Sequence, residues 1–325
     1  MASPPVFFIR TSFTRAGNLI VIGPGALGTL FATRLFLAGI PVSLFDHRPD
    51  RASILQSTGL RIQVDQEEFR AQVPMTSDPI AIASADVILL CVKSRDVASI
   101  LQGIAPFVSP DGPLIIAFQN GIAHHEIFRE LSRAPWAIGV TALGATLLRS
   151  GFARFGGQGM TRIGFLIHNP APVATARLQQ TVEAFTAAGL PCQASEDIRT
   201  HSWNKFLVNL GINGLTAIFD CPNGALLDIP EAAVRQERAV REAILVAQAS
   251  GIAIHPDPVA LCREVCAKTA ANISSLLQDV RRGRKTEIDA LNGALVQLAR
   301  KAGLPAPENE RIWSEVKGLE KKLES

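Results

Sequence analysis

The chain has 325 residues, of which 47% are hydrophobic and 19% are charged. This composition predicts a globular protein long enough for two domains and excludes an intrinsically disordered chain. The 32 basic and 29 acidic side chains are spread along the sequence and leave a net charge of +3, so we expect no nucleic-acid partner. No apolar run reaches the length of about 20 residues that a membrane span needs, so we expect no membrane insertion.

The first 18 residues, MASPPVFFIRTSFTRAGN, precede the first predicted strand and contain no acidic side chain. Their arginines and hydroxyls are typical of a transit peptide, but the segment is short and prolines interrupt it. We therefore interpret residues 1–18 as an N-terminal extension and expect a cytoplasmic protein. The five cysteines are scattered without a C-x-x-C pair or a histidine at ligand spacing, so we expect no metal site.

Short apolar runs alternate with helical patterns through the first part of the chain. The predicted strands cover residues 19–23, 41–46, 85–92, 113–118, 137–148 and 151–166, the last two partly antiparallel. The predicted helices cover residues 26–38 and 173–188, each ending before a glycine. This alternation predicts an α/β domain with a Rossmann-type, doubly wound sheet.

The strand signal disappears after about residue 195. Ser195, Glu196 and Asp197 are residues that favour the start of a helix, and the patterns that follow are helical to the end of the chain. We therefore predict a Rossmann-type α/β domain over residues 1–194 and an all-helical domain over residues 195–325.

The stretch LIVIGPGALGTL, residues 19–30, places three glycines where a strand passes into a helix. Gly23, Gly25 and Gly28 fit the pattern G-x-G-x-x-G. In such a loop the first glycine permits the turn, the second admits a pyrophosphate to the backbone, and the third lets the helix pack on the strand. The pattern favours dinucleotide binding, and a structural turn without a ligand is the alternative.

Asp46 ends the second predicted strand, and His47 and Arg48 follow it directly. A carboxylate at this point usually accepts the ribose 2′-OH of NAD and repels a 2′-phosphate. Arg48 could instead hold that phosphate in a charge-assisted pair. An acid that makes no contact with the cofactor is the third interpretation.

Polar residues follow two other predicted strands where these end. Lys93 comes directly after VILLCV, and Asn120 and Gly121 follow PLIIAF and Gln119. Ligands of a doubly wound sheet lie beyond the carboxyl ends of its strands, so both positions point to a binding crevice. A surface lysine and an ordinary Asn-Gly turn are the alternatives.

The helical pattern near residues 201–213 has two different faces. Its apolar face carries Trp203, Phe206, Leu207 and Leu210, and an opposite stripe carries Lys205, Asn209 and Asn213 at spacings of four residues. Since asparagine is a mediocre helix former, this stripe favours contact with a polar ligand over a solvated face.

Farther along, Asn223 lies in a CPNG turn, and Asn272 and Ser275 are expected on one helix. Without further information Glu287 would be an exposed helical residue.

Taken together, these motifs resemble those of the ketopantoate reductase family. The strongest similarity lies in WNKFLVNLGINGLTAIFDCPNGAL (203–226) and ANISSLLQDVRRGRKTEIDALNGAL (271–295). VIGPGALGTLFA, CVKSRDV, QNG and GGQG are similar as well, so the resemblance runs from about residue 19 to near the C-terminus. It implies hydride transfer from a reduced nicotinamide to the C2 keto group of ketopantoate, in pantothenate synthesis.

The resemblance also implies a role for individual residues. Lys205 would be the general acid, and Glu287 would hold the substrate and support the lysine. The other substrate-binding residues would be Asn120, Asn209, Asn213, Asn223 and Ser275. The residues that line the cofactor would be Gly23, Pro24, Gly25, Ala26, Leu27, Gly28, Lys93, Asn120 and Ala145, besides Asp46 or Arg48.

The family commonly uses NADPH, often through an arginine after the second strand. Here Asp46 and His47 stand around that place and the arginine comes one step later, so NADP(H) is expected and NAD(H) stays open. The expected partner is a small 2-keto acid, and the chain is expected to be a monomer or a homodimer. Another 2-keto acid reductase of the same fold, or a non-catalytic NAD(P)H sensor, are the alternative functions.

Overall fold

The computed structural model describes residues 17–324, so the predicted extension at 1–18 lies almost wholly outside the described residues. The described chain divides into two compact units. The first runs to Val92 and includes Asp96–Gln119 and Phe128–Ile198, and the second comprises Lys93–Arg95, Asn120–Ile127 and the chain from Arg199 onward. Two short segments that follow strands of the first unit therefore belong to the second.

The strands of the first unit form two sheets. In chain order they are β1 (Leu19–Ile22), β2 (Val42–Phe45), β3 (Leu60–Val64), β4 (Glu67–Ala71), β5 (Met75–Thr76), β6 (Val87–Leu90), β7 (Leu114–Ala117), β8 (Trp136–Thr141), β9 (Gly144–Arg149), β10 (Phe152–Gly157), β11 (Thr161–Gly164) and β12 (Cys192–Ala194). The larger sheet has eight strands in the order β12-β11-β8-β7-β6-β1-β2-β5, and only β8 and β11 are antiparallel neighbours in it.

The larger sheet has Rossmann topology. When β1, β2, β5, β6, β7 and β8 are numbered along the chain, their spatial order is 3-2-1-4-5-6, which reverses between β1 and β6. Every residue of β1, β6 and β7 is buried, because helices and loops cover a parallel sheet on both faces. The predicted fold class, a Rossmann-type sheet domain followed by a helical region, is confirmed.

A second sheet of four strands, in the order β4-β3-β10-β9, was not predicted from the sequence. β3 and β4 form a hairpin around Asp65, which adopts a left-handed conformation with φ of 52°. β4 has the sequence EEFRA, and its charges conceal the alternation that identifies a strand. The antiparallel pair β9 and β10 lies within the region where antiparallel strands were expected.

The helices of the first part of the chain are α1 (Ala26–Leu37), α2 (Pro49–Thr58), α3 (Val97–Ile104), α4 (His124–Leu131) and α5 (Pro172–Ala187). Phe31 of α1 lies at the centre of the core, edge-on to both Phe118 and Phe185. This packing fixes the start of α1 against the carboxyl end of β1, where the glycine-rich turn lies.

The second unit is helical after Ile198. Its helices are α6 (Ile198–Ile218), α7 (Ala225–Asp228), α8 (Pro230–Ala249), α9 (Pro258–Lys268), α10 (Ser275–Arg281), α11 (Asn292–Lys301) and α12 (Pro307–Glu324). Phe206, Leu207 and Leu210 of α6 are buried in its core. Among residues 17–324, no helix is long and apolar enough to cross a membrane.

Candidate active site

The glycine-rich turn between β1 and α1 has the geometry of a phosphate-binding loop. Gly23 has φ of +101°, which disfavours any side chain, and a Cβ on Gly28 would lie 2.0 Å from the Gly23 carbonyl oxygen. A Cβ on Gly25 would meet only the Cys91 carbonyl oxygen among the described residues, at 3.7 Å. The backbone at Gly25 is therefore open to a ligand, while Gly23 and Gly28 allow the close packing of turn, strand and helix.

The first turn of α1 favours an anion. It contains no acidic residue, and its N-cap, Gly25, makes no side-chain capping hydrogen bond. The amide groups at this helix end therefore keep their donors and their partial positive charge for a ligand. Pro24, Ala26 and Leu27 complete the turn, and Ala145 lies partly buried in β9.

Asp46 follows β2, and its carboxylate is paired within the protein. The side chain has no exposed surface. Arg51 donates from Nε to Oδ2 and from Nη2 to Oδ1, and the Arg48 backbone N–H donates to Oδ1 at 3.2 Å. The Arg48 side chain is exposed. Arg51 was missed in the sequence because it lies beyond the proline that begins α2, and only the fold brings it back to Asp46.

The polar stripe of α6 belongs to the second unit. Lys205 and Asn209 are partly buried, and Asn213 is 7% exposed. A solvated helix face does not explain an asparagine that is almost fully buried. Asn213 therefore supports the interpretation of this stripe as a ligand-facing one.

Glu287 lies in a turn before the short 3-10 helix Ile288–Ala290, and its side chain is only 10% exposed. The default interpretation of an exposed helical residue is therefore wrong. Gly283, with φ of +63°, ends α10, and the chain reaches Glu287 without regular structure. Asn272 also lies outside α10, which begins at Ser275 and is capped by the Ser274 hydroxyl.

Residues that follow β6 and β7 hold the Glu287 carboxylate. Ser94 donates to Oε1 from its backbone N–H at 3.0 Å and from its hydroxyl at 3.1 Å. Lys93 Nζ lies 3.2 Å from Oε2, and Asn120 Nδ2 donates to Oε2 at 3.4 Å. Lys93 Nζ also pairs with Asp279 Oδ2 of α10 at 2.9 Å. Lys93, Asn120 and Glu287 are therefore brought together, and Ser94 and Asp279 are members of the cluster that sequence reasoning missed.

The charged groups of this cluster shift one another's pKa. Burial opposes the ionisation of Glu287, but Lys93, the Ser94 N–H and Asn120 outweigh it and lower the pKa of this carboxyl. Burial also opposes the charge of Lys93, but Glu287 and Asp279 outweigh it and raise the pKa of this ammonium. Both groups are therefore ionised at neutral pH.

Lys205 differs from Lys93 because burial dominates its protonation. Burial lowers the pKa of Lys205 to about 8, and the Glu287 carboxylate opposes this shift only in part. An ammonium with this pKa is still mostly protonated at neutral pH and gives up its proton more readily than an ordinary lysine. This property suits a general acid.

Two histidines near Lys205 were not singled out from the sequence. The His124 and His125 rings are edge-on, with centroids 4.5 Å apart, and His125 Nε2 lies 3.5 Å from the Ser202 hydroxyl of α6. Burial lowers the pKa of His124 well below its ordinary value, and His125 and Lys205 act in the same direction. His124 is therefore neutral at pH 7, so it adds no second buried cation beside Lys205 that would repel its charge.

The remaining predicted substrate-binding residues differ in exposure. Asn223 is 8% exposed, and its Nδ2 donates to the Thr269 hydroxyl at 2.9 Å, while its Oδ1 accepts no hydrogen bond from any described residue. A buried amide oxygen without a donor needs a partner to be satisfied. Ser275 is exposed at the start of α10.

The comparison with protein families decides the assignment. Residues 19–167 match the family described as "Ketopantoate reductase PanE/ApbA", and residues 197–320 match "Ketopantoate reductase PanE/ApbA C terminal". The chain belongs to the ketopantoate reductase family. The resemblance found in the sequence is thereby confirmed, and so is the prediction of an NAD(P)-dependent oxidoreductase.

Individual relatives extend this assignment over nearly the whole chain. The 2-dehydropantoate 2-reductase of Halobacterium salinarum is 33% identical over 292 residues, which cover 89% of this chain and 94% of the relative. The crystal structure of a PanE/ApbA family ketopantoate reductase from Ralstonia eutropha has a TM-score of 0.84 at 30% identity, covering 94% of this chain and 100% of the other. A ternary structure of D-mandelate dehydrogenase with NADH and anilino(oxo)acetate has a TM-score of 0.85 at 25% identity, with the same coverage.

Proposed function

We propose that this chain is a 2-dehydropantoate 2-reductase, which reduces the C2 keto group of ketopantoate to give pantoate, in pantothenate and coenzyme A biosynthesis. The observation that carries the proposal is Lys205, an ammonium with a pKa lowered to about 8 on the same helix face as Asn209 and Asn213. In this proposal residues 1–194 bind the dinucleotide, and residues 195–325 bind the substrate and provide the catalytic lysine.

Lys205 would serve as the general acid. When bound, a reduced nicotinamide supplies the hydride that the keto carbon accepts. Negative charge then develops on the keto oxygen, and the proton on Lys205 Nζ stabilises this charge and is transferred to the oxygen. The lowered pKa of Lys205 brings its acidity close to the working pH, which favours the transfer.

Glu287 and the asparagines would position the substrate. The ionised Glu287 carboxylate accepts four hydrogen bonds from the protein, and a substrate hydroxyl such as that of ketopantoate would replace one of these donors. The amides of Asn120, Asn209 and Asn213, with the acceptor of Asn223 and the hydroxyl of Ser275, offer donors and acceptors for the carboxylate and hydroxyl groups of a small polar acid. A site built to hydrogen-bond a substrate hydroxyl discriminates strongly against analogues that lack it.

The glycine-rich turn supports binding of the dinucleotide. The open backbone at Gly25 and the uncapped start of α1 would hold the pyrophosphate, and Gly23 and Gly28 keep the turn compact. We propose NADP(H) as the cofactor, because Arg51 neutralises the Asp46 carboxylate that would repel a 2′-phosphate and the Arg48 side chain is exposed nearby.

Cofactor preference should depend on Arg51. Replacement of Arg51 by Gln leaves the negative charge of Asp46 without its cation, so kcat/KM with NADPH should fall about tenfold relative to NADH. Arg51→Lys keeps the positive charge and is the matched control, with a ratio near that of the wild type. Steady-state kinetics with both cofactors measures the ratio. The same ratio in Arg51→Gln as in Arg51→Lys would show that the pair does not act on the cofactor.

The substrate proposal is tested by kinetics with a panel of keto acids. Ketopantoate, 2-ketoisovalerate and 2-keto-3-methylvalerate share the 2-keto acid group. Of the three, only ketopantoate carries a hydroxyl that can donate a hydrogen bond to Glu287. We expect kcat/KM for ketopantoate to exceed the other values by at least about a hundredfold. Equal values for the three acids would contradict the proposal.

A second candidate is reduction of another 2-keto acid by the same machinery. The similarity to D-mandelate dehydrogenase, solved with NADH, favours it, because that protein has the same fold with a TM-score of 0.85. Phenylglyoxylate with NADH or NADPH is the matching substrate. If its kcat/KM exceeds that of ketopantoate, this second candidate replaces the first.

A further inference from the structure

Helix α12 anchors the turn that carries Glu287. Glu320, which is 7% exposed, accepts two hydrogen bonds at Oε1 from Thr286, one from the backbone N–H at 2.7 Å and one from the hydroxyl at 2.6 Å. Thr286 is 3% exposed and directly precedes Glu287. A buried carboxylate on the far side of the turn therefore holds the backbone at the base of the Glu287 side chain.

Other contacts of α12 continue along the same turn. Lys317 Nζ lies 2.7 Å from Glu320 and 3.2 Å from Asp289, and the indole N–H of Trp313 donates to Asp289 at 2.7 Å. The Thr286 hydroxyl also accepts the Ile288 N–H at 3.2 Å. Thr286 and Asp289 flank Glu287 and Ile288, so α12 fixes the turn on both sides of the glutamate.

In the chain before Thr286, backbone hydrogen bonds to α10 hold residues 282–284. Residues 281–285 are exposed, and Gly283 has φ of +63°. In this stretch the exposed Arg95 side chain donates to the Lys285 carbonyl at 2.9 Å. Because hydrogen bonds to a buried charged group are stronger than a neutral one at the surface, the Glu320 contacts are the stronger restraint.

Glu320 is ionised in this setting. Burial opposes its charge, but Lys317 and the two donors of Thr286 outweigh burial and lower the pKa of this carboxyl. Its charge does not reach Glu287 by direct contact, so any effect on the site passes through the turn.

We propose that Glu320 is a positioning residue of this reductase: through Thr286 it sets the place of the Glu287 carboxylate, and thereby the affinity for the keto acid. The proposal rests on the proposed function, which gives Glu287 the task of holding the substrate. Lys93, Ser94 and Asn120 hold the tip of the Glu287 side chain, and Glu320 holds its base.

The first test replaces Thr286 by Val, which keeps the shape and removes the hydroxyl. We expect KM for ketopantoate to rise about tenfold while kcat stays within about threefold, as the loss of one such hydrogen bond predicts. Thr286→Ser keeps the hydroxyl and should restore the KM. Glu320→Ala removes both hydrogen bonds and should raise KM further, and Tm shows whether this variant is folded.

The control is Glu308→Gln on the same helix. Glu308 is as buried as Glu320, but its carboxylate pairs with Arg235 of α8 at 2.7 Å and not with Thr286. This variant should lower Tm and leave KM unchanged. An equal rise of KM in Glu308→Gln would mean that general loosening of α12 explains the effect, and would overturn the proposal.

A second readout does not need the reaction. Competitive labelling with acetic anhydride, followed by mass spectrometry of the Lys205 peptide, measures the pKa of Lys205 in each variant. Because Glu287 raises this pKa, a displaced carboxylate should lower it in Thr286→Val and Glu320→Ala, but not in Glu308→Gln. If this shift occurs and the wild type does not reduce ketopantoate, the proposed function fails and the positioning role stands. If ketopantoate is reduced and neither KM nor labelling changes, the positioning role is overturned.

Discussion

Replacement of Lys205 by Ala should lower kcat by two to four orders of magnitude, which is the usual contribution of a general acid. The side chain would be the proton donor to the keto oxygen, and water that enters the cavity of the alanine variant is a weaker acid that is not held in place. Steady-state rates of NADPH oxidation with ketopantoate measure the loss. Lys205→Arg is the matched control for charge, because a guanidinium can donate hydrogen bonds but stays protonated and does not transfer a proton to the substrate.

The same lysine should reduce the stability of the fold. Its pKa lies near 10.4 in the unfolded chain and falls to about 8 in the folded protein, so the folded state disfavours the charged form. This penalty is present in full below pH 8 and disappears as the pH rises towards 10.4. Lys205→Met should therefore raise the free energy of unfolding at pH 7 by about 2–3 kcal/mol, and the gain should vanish above about pH 10.4.

An unchanged kcat in Lys205→Ala would show that this lysine has no catalytic role. A variant that loses activity and also loses stability at pH 7 would indicate a structural role instead. Binding of NADPH, followed by its fluorescence, is the third measurement. We expect it to be unaffected, because the glycine-rich turn at residues 23–28, which we propose as the dinucleotide site, belongs to the other unit.

The main sheet could be predicted because its strands are buried on both faces. β1, β6 and β7 are continuous apolar runs, and polar turn residues bound each of them. The small sheet could not, because β4 is made largely of charged residues. The edge strand β5 of the main sheet was also missed, because it has only two residues. These strands depend on pairing with β3 and β2, which is information that lies outside their own sequence.

In the candidate site, the sequence identified individual residues more readily than the neighbours that they contact in the fold. Lys205 and Asn213 share one helix, and the helical period alone places them on one face. The cluster around Glu287 is different, because Lys93 and Asn120 lie 194 and 167 residues away in the chain. Arg51 and Glu320 show the same limit. Arg51 neutralises Asp46, and Glu320 anchors Thr286 beside Glu287, and each pair forms only through a tertiary contact.

Replacement of Glu287 by Gln should have the second-largest effect. The amide has nearly the same shape but cannot accept the same four hydrogen bonds, and it leaves Lys93 with Asp279 as its remaining carboxylate. Loss of a charged acceptor for the substrate hydroxyl should raise KM for ketopantoate about 10- to 100-fold. For 2-ketoisovalerate, which lacks that hydroxyl, we expect a smaller rise.

The pH dependence gives an independent measure of the same residue. In the proposed mechanism Lys205 must be protonated, so kcat/KM should fall as the pH rises through about 8. Glu287 raises the pKa of Lys205, and its neutralisation must therefore move this fall to lower pH. Asp279→Asn also removes a carboxylate from Lys93, but Asp279 does not act on Lys205. In this variant the pH at which kcat/KM declines should therefore not change. If the two variants shift the profile equally, the effect comes from Lys93, and Glu287 does not tune the proton donor.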